Sequence, residues 1–123
     1  MAQHWHTVRL TSLHGSNDIT AEATPGADSP WFNGHFPGIP VLPGIAELSM
    51  VFDAVQERLL DRWGALAISE IKKVRFRQLI KPDETILIAA TPDEHDPLTF
   101  KFKVQVRGQA ACSGIMVLVR DIA

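Results

Sequence analysis

Apolar and polar residues alternate with two different periods along this chain, and the change of period marks out its architecture. Between residues 99 and 107, Phe100, Phe102, Val104 and Val106 alternate with Lys101, Lys103, Gln105 and Arg107. This is the two-residue period of a strand with one packed face and one wet face. Between residues 45 and 63 the period lengthens. Ile45, Leu48, Phe52, Val55, Leu59 and Leu60 recur at helical spacing, with Glu57, Arg58, Asp61 and Arg62 interleaved, which predicts one long helix. Pro43 just before the run suits a helix start, and Gly64 just after it suits a C-cap.

The remaining segments read as strands and turns. Trp5, Thr7, Val8, Leu10 and Thr11 favour a first strand over 4–13, followed by a turn at 15–18 and a partner strand over 19–23. Residues 24–30, with Pro25, Gly26, Asp28 and Pro30, read as loop. After the helix come strands over 67–79, 84–90 and 98–119, the last divided near Gly108, with hairpin turns at 92–97 and 107–109. The pattern contains no repeat, linker or low-complexity tract. It predicts a single α+β domain over 1–123, with one helix laid across an antiparallel sheet.

Composition narrows the functional classes. At 123 residues, 46% hydrophobic and 21% charged, the chain has the makings of a core that needs neither disulfides nor metals. A net charge of −2 supplies no field that would draw it to nucleic acid. Cys112 is the only cysteine. It stands in an apolar strand, reads as a core thiol, and points to a reducing, cytoplasmic setting. The N-terminus lacks the apolar run of a signal peptide and no segment reaches the length of a membrane span, so neither export nor membrane insertion is expected. His4 and His6 fall on one strand face but lack a third ligand. They are expected as surface residues, and neither a metal nor an organic cofactor is expected.

The chemistry concentrates in residues 31–44. Pro37, Gly38, Pro40, Pro43 and Gly44 exclude a regular helix or central strand there, so the segment is an ordered loop. A helix that begins at Pro43 and Gly44 leaves its first N–H groups unpaired, where the dipole favours negative charge. With no side chain at position 44, a carbonyl oxygen could approach the Gly44 N–H closely and have developing negative charge stabilised there. His35 sits on a loop stiffened by Pro37 and Pro40, and a neutral imidazole suits proton removal near neutral pH.

The run Gly34-His35-Phe36-Pro37-Gly38-Ile39-Pro40-Val41-Leu42-Pro43-Gly44 resembles the signature of the 3-hydroxyacyl-acyl-carrier-protein dehydratases at every fixed position. Residues 73–83 are similar to the strand and turn that follow the helix in that family. The resemblance implies a hot-dog fold, a curved antiparallel sheet wrapped around one long central helix. It also implies dehydration of a 3-hydroxyacyl thioester to the trans-2-enoyl thioester, with His35 as base and the Gly44 N–H as oxyanion donor. The thioester would be linked to acyl carrier protein or coenzyme A. A homodimer or higher homo-oligomer is expected, and the fold also admits a heterodimer with a related subunit.

One position departs from the family. The acid that helps expel the hydroxyl stands fourteen residues after the motif histidine, and here that residue is Ser49. A serine hydroxyl donates a hydrogen bond but is a poor proton donor. Asp53, one turn on and on the same helix face, is the candidate replacement, through a water held by Ser49. Glu47, two residues back, points largely away. Phe32, Phe36, Pro37, Val41, Leu42 and Phe52 are candidates to line the acyl pocket. Lys73, Arg75 and Arg77 alternate along one predicted strand face, with Lys72 and Lys81 close by, and read as a cationic stripe for an acidic carrier or its phosphate. Acyl thioesterase activity and a non-catalytic, acyl-thioester-binding partner subunit are the alternatives.

Overall fold

The computed structural model describes residues 5–12, 17–33, 38 and 40–122. Within them, β1 (Arg9–Leu10), β2 (Ile19–Ala23), β3 (Leu66–Phe76), β4 (Ile86–Pro92), β5 (Thr99–Val106) and β6 (Gln109–Arg120) accompany one long helix, α1 (Gly44–Trp63). The strands form one antiparallel sheet in the order β1-β2-β4-β5-β6-β3. This is the layout expected from the hot-dog resemblance. The first strand is shorter than its 4–13 prediction, although part of that segment lies outside the described residues.

Helix α1 starts with Pro43 as N-cap and stops at Gly64, whose φ of 70° a side chain would strain. Ala46, Met50, Val51, Ala54 and Val55 form its buried stripe. They pack against inward residues of the sheet, among them Ile86, Ile88, Phe100, Phe102, Val104 and Met116. Alternation in β4 and β5 follows the two-residue period, with Leu87, Ala89, Lys101 and Lys103 outward. The β5–β6 hairpin turns on Arg107 and Gly108, at φ of 52° and 73°. Positive φ at both central residues matches the twist of the flanking strands.

Strand β3 is irregular against β6 between Ile68 and Glu70, and again, as a bulge, between Lys72 and Arg75. Lys72 pairs with Ile115 and Arg75 with Ser113, so Lys73 and Val74 together oppose Gly114, and Lys73 takes a φ of 55°. A Cβ on Gly114 would lie 3.1 Å from the Lys72 carbonyl and 3.0 Å from the Phe102 ring, so the bulge and the ring exclude a side chain there. At the bulge the inside and outside of the strand exchange. Phe76 pairs with buried Cys112 and shares the inner face, whereas Arg75 shares the outer face with Ser113.

Candidate active site

Two features prepare the N-terminal end of α1. The Leu42 N–H donates to the Ile80 carbonyl at 2.8 Å, fixing the segment that enters the helix. The Phe76 ring lies across Gly44, where an added Cβ would come within 2.6 Å of Cζ. A side chain at position 44 would therefore have to displace the half-exposed Phe76 ring. By position, the Gly44 N–H has no acceptor within the helix. His35, Phe36 and Pro37 lie outside the described residues, and so does their geometry.

Ser49 and Asp53 lie together, as the helical period predicts. Both line a cleft of about 780 Å³ between α1 and the segment Trp5, His6, Thr7 and Val8, with Trp31 at one wall. Asp53 is held there. The His6 imidazole Nε2 lies 2.6 Å from Asp53 Oδ2, and the Trp31 indole Nε1–H donates to His6 Nδ1 at 2.9 Å. An indole nitrogen can only donate, so His6 Nδ1 must accept and the ring proton resides on Nε2. His6 thus donates to Asp53.

The local sequence sets up this contact. Ser29 is buried. Its hydroxyl accepts from the Trp31 N–H at 3.3 Å, capping the short 3-10 helix Pro30–Phe32, and donates to the Trp5 carbonyl at 2.6 Å. The Trp31 ring meets Trp5 edge-on at 4.7 Å and stacks on His6 at 6.0 Å. His6 is therefore not the surface residue expected from the sequence, since its side chain is only 7% exposed.

Other expected site residues distribute differently. Phe32, Val41 and Leu42 are buried, Phe52 packs against the core, and none of the four lines the cleft. The expected Lys73–Arg75–Arg77 stripe is broken by the bulge. Arg75 faces outward with Lys72, Lys73 occupies the bulge itself, and Arg77 lies beyond the end of β3. Arg77 directly follows Phe76, the residue on Gly44. Arg75 belongs to the sheet face turned away from α1, where cross-strand pairing adds Lys101 and Lys103 from β5.

Glu47 points away from Ser49, as the helical wheel requires, and its destination is the core. It is 3% exposed and its Oε1 has no hydrogen-bond partner among the described residues. Burial pushes its carboxyl up from 4.5 to about 7. Cys112 is buried as expected, and burial, reinforced by the Glu47 charge, pushes its thiol up to about 12. The placement of Glu47 was legible in the spacing, because residues 47, 51, 54 and 55 share one helical stripe. The contact of His6 with Asp53 left no such signal: the two are 47 residues apart.

Comparison with known proteins converges on one family. The family model for ApeI-like proteins, described as ApeI dehydratase, matches residues 11–115. The chain belongs to the ApeI-like dehydratase family. Among curated relatives, the 3-hydroxyacyl-acyl-carrier-protein dehydratase FabZ of Rickettsia africae is 26% identical over 121 residues, covering 92% of this chain and 83% of its own. FabZ of Oenococcus oeni is 28% identical over 117 residues, covering 90% and 84%. A solved neighbour, the dehydratase heterocomplex ApeI:P of Xenorhabdus doucetiae, superposes with a TM-score of 0.74 at 28% identity, covering 88% of this chain and 93% of that one. An Erwinia carotovora protein at 22% identity shares the fold with a TM-score of 0.71. This ApeI-like chain therefore has the hot-dog fold of a 3-hydroxyacyl-acyl-carrier-protein dehydratase relative. Among its described residues no helix is long and apolar enough to cross a membrane.

Proposed function

We propose that this ApeI-like protein dehydrates a 3-hydroxyacyl thioester, carried on acyl carrier protein or coenzyme A, to the trans-2-enoyl thioester. His35 takes the α-proton and the Gly44 N–H, at the positive end of α1, meets the enolate oxygen. Asp53 gives its proton to the β-hydroxyl, which leaves as water as its electron pair departs with the C–O bond. Ser49 orders the hydroxyl or a water between them. The observation that carries this reading is the placement of Ser49 and Asp53 in one cleft along a helix whose N-cap, Pro43, makes no side-chain hydrogen bond to its first N–H groups. A carboxylate one turn beyond the family's acid position can reach the same space.

Arg77, next to the ring that covers Gly44, is the best placed of the three expected cations to meet an acidic carrier. Among the described residues the long strand β3 pairs with β6 alone, and Ile68 and Phe76 on it are exposed. Pairing of this edge with a second subunit would build the oligomer, and the ApeI:P relative is a heterocomplex. A second reading draws on Ser49: without the usual acid, the chain serves as the thioester-binding subunit of such a complex. Hydration of a trans-2-enoyl thioester by Asp53→Asn and Ser49→Ala variants separates the two. Loss of at least about 100-fold in Asp53→Asn supports catalysis. Wild-type inactivity toward thioesters, with binding retained, supports the second reading.

A further inference from the structure

His6 takes part in no step of the mechanism above, yet it is the most constrained polar side chain in the cleft. Both ring nitrogens are engaged, Nδ1 by the Trp31 indole and Nε2 by Asp53 Oδ2. The ring is nearly buried and stacked on Trp31 at an interplanar angle of 19°. A ring with both nitrogens occupied has none left to exchange a proton with substrate. It can, however, fix what its partner does.

We propose that His6 is a positioning residue for the acid step, locked by Trp31 as the Nε2–H tautomer so that it holds Asp53 Oδ2 and confines the transferable proton to Oδ1. The inference rests on Asp53 serving as the acid. With Nε2–H pointed at Oδ2, that oxygen can only accept, so a carboxylic-acid proton must sit on the other oxygen. Asp53 remains 48% exposed on its side chain, and no hydrogen bond to Oδ1 is formed among the described residues. In dehydration the Oδ1–H bond breaks, its proton joins the departing hydroxyl to make water, and Oδ1 keeps the electron pair. His6 neither gives nor takes a proton in this step. The resulting carboxylate accepts a stronger hydrogen bond from the same Nε2–H. Among the described residues lining the cleft, the titratable groups are His6, Asp53 and Glu57, and His6 is the one described histidine placed to orient Asp53.

The test compares His6→Gln, His6→Phe and Trp31→Phe in the full-length protein, using hydration of a trans-2-enoyl thioester, with Asp53→Asn and His35→Ala alongside. Glutamine can donate from its amide nitrogen to Asp53 and accept from Trp31 with its oxygen, whereas phenylalanine keeps the ring packing and does neither. Kcat in His6→Phe is expected to fall roughly 10- to 100-fold with little change in KM, and His6→Gln to stay within about 3-fold of wild type. Trp31→Phe frees Nδ1 and should lower kcat about 10-fold. This variant carries the test if His6→Phe does not fold. Full kcat in His6→Phe, or in Trp31→Phe where that substitutes for it, overturns the positioning role. If it does so while His35→Ala and Asp53→Asn are inactive, the dehydratase reading stands. If Asp53→Asn is fully active, or wild type itself is inactive, the reading of Asp53 fails and the role of His6 fails with it.

Discussion

Replacing Glu47 by glutamine should remove a pH-dependent weakness from the folded state. The carboxyl lies in the core beneath α1 with Oε1 unpartnered among the described residues, and burial raises it from the ordinary 4.5 to about 7. A carboxyl raised on folding binds its proton more tightly when folded. Its stabilising contribution is therefore complete below pH 4.5 and is lost as pH climbs through about 7. Once both states are ionised, the loss amounts to about 3 kcal/mol, of which about 2.5 kcal/mol falls between pH 5 and pH 8. In a domain of 123 residues that corresponds to about 10 °C in Tm. Cys112, pushed up to about 12, remains a thiol across this window and adds nothing. Thermal melts of wild type and Glu47→Gln at the two pH values isolate the effect, because the amide cannot titrate and other groups cancel in the difference. The variant should gain about 10 °C relative to wild type on going from pH 5 to pH 8. An equal difference at both pH values would show that the carboxyl is paired or hydrated, and would refute the burial argument.

Three further outcomes follow from packing and charge. Gly44→Ala should cost about 1 kcal/mol, because the added methyl displaces the half-exposed Phe76 ring, and Phe76→Leu should restore part of it, as urea melts of the double mutant would show through non-additivity. Arg77→Glu should weaken carrier binding more than Arg75→Glu does, with the gap shrinking in high salt, because Arg75 faces away from α1. Equal effects in a titration series would count against the placement of Arg77. Cys112 should resist alkylation in the native protein and react at the rate of unfolding, since its thiol is buried and raised to about 12. Fast native labelling followed by mass spectrometry would contradict its position.

Periodicity made much of this fold readable. The 3.6-residue spacing of 45–63 located α1 to within a residue, and the alternation of 99–107 located β5 and its wet face. The bulge at Lys73 and Val74 was not readable, because the extra residue depends on Gly114 across the strand pair and leaves no mark in the spacing of β3 itself. That is why Lys73, Arg75 and Arg77 alternate in sequence but not in space. The site divided along the same line. Ser49 and Asp53 share a helix face by arithmetic, so their cleft was foreseeable. His6 reaches Asp53 only because Ser29 and Trp31 anchor the N-terminal segment beside α1, a tertiary arrangement that local pattern does not encode. The motif loop around His35 was identified by its family signature.

The most direct test of the functional account mixes the purified protein with a 3-hydroxyacyl thioester or its trans-2-enoyl counterpart and follows dehydration, hydration and free-thiol release in parallel, with His35→Ala as control. Reversible addition and loss of water, abolished in His35→Ala and unaccompanied by thiol release, is the predicted result. Thiol release without water exchange would instead make the protein a thioesterase and contradict the account.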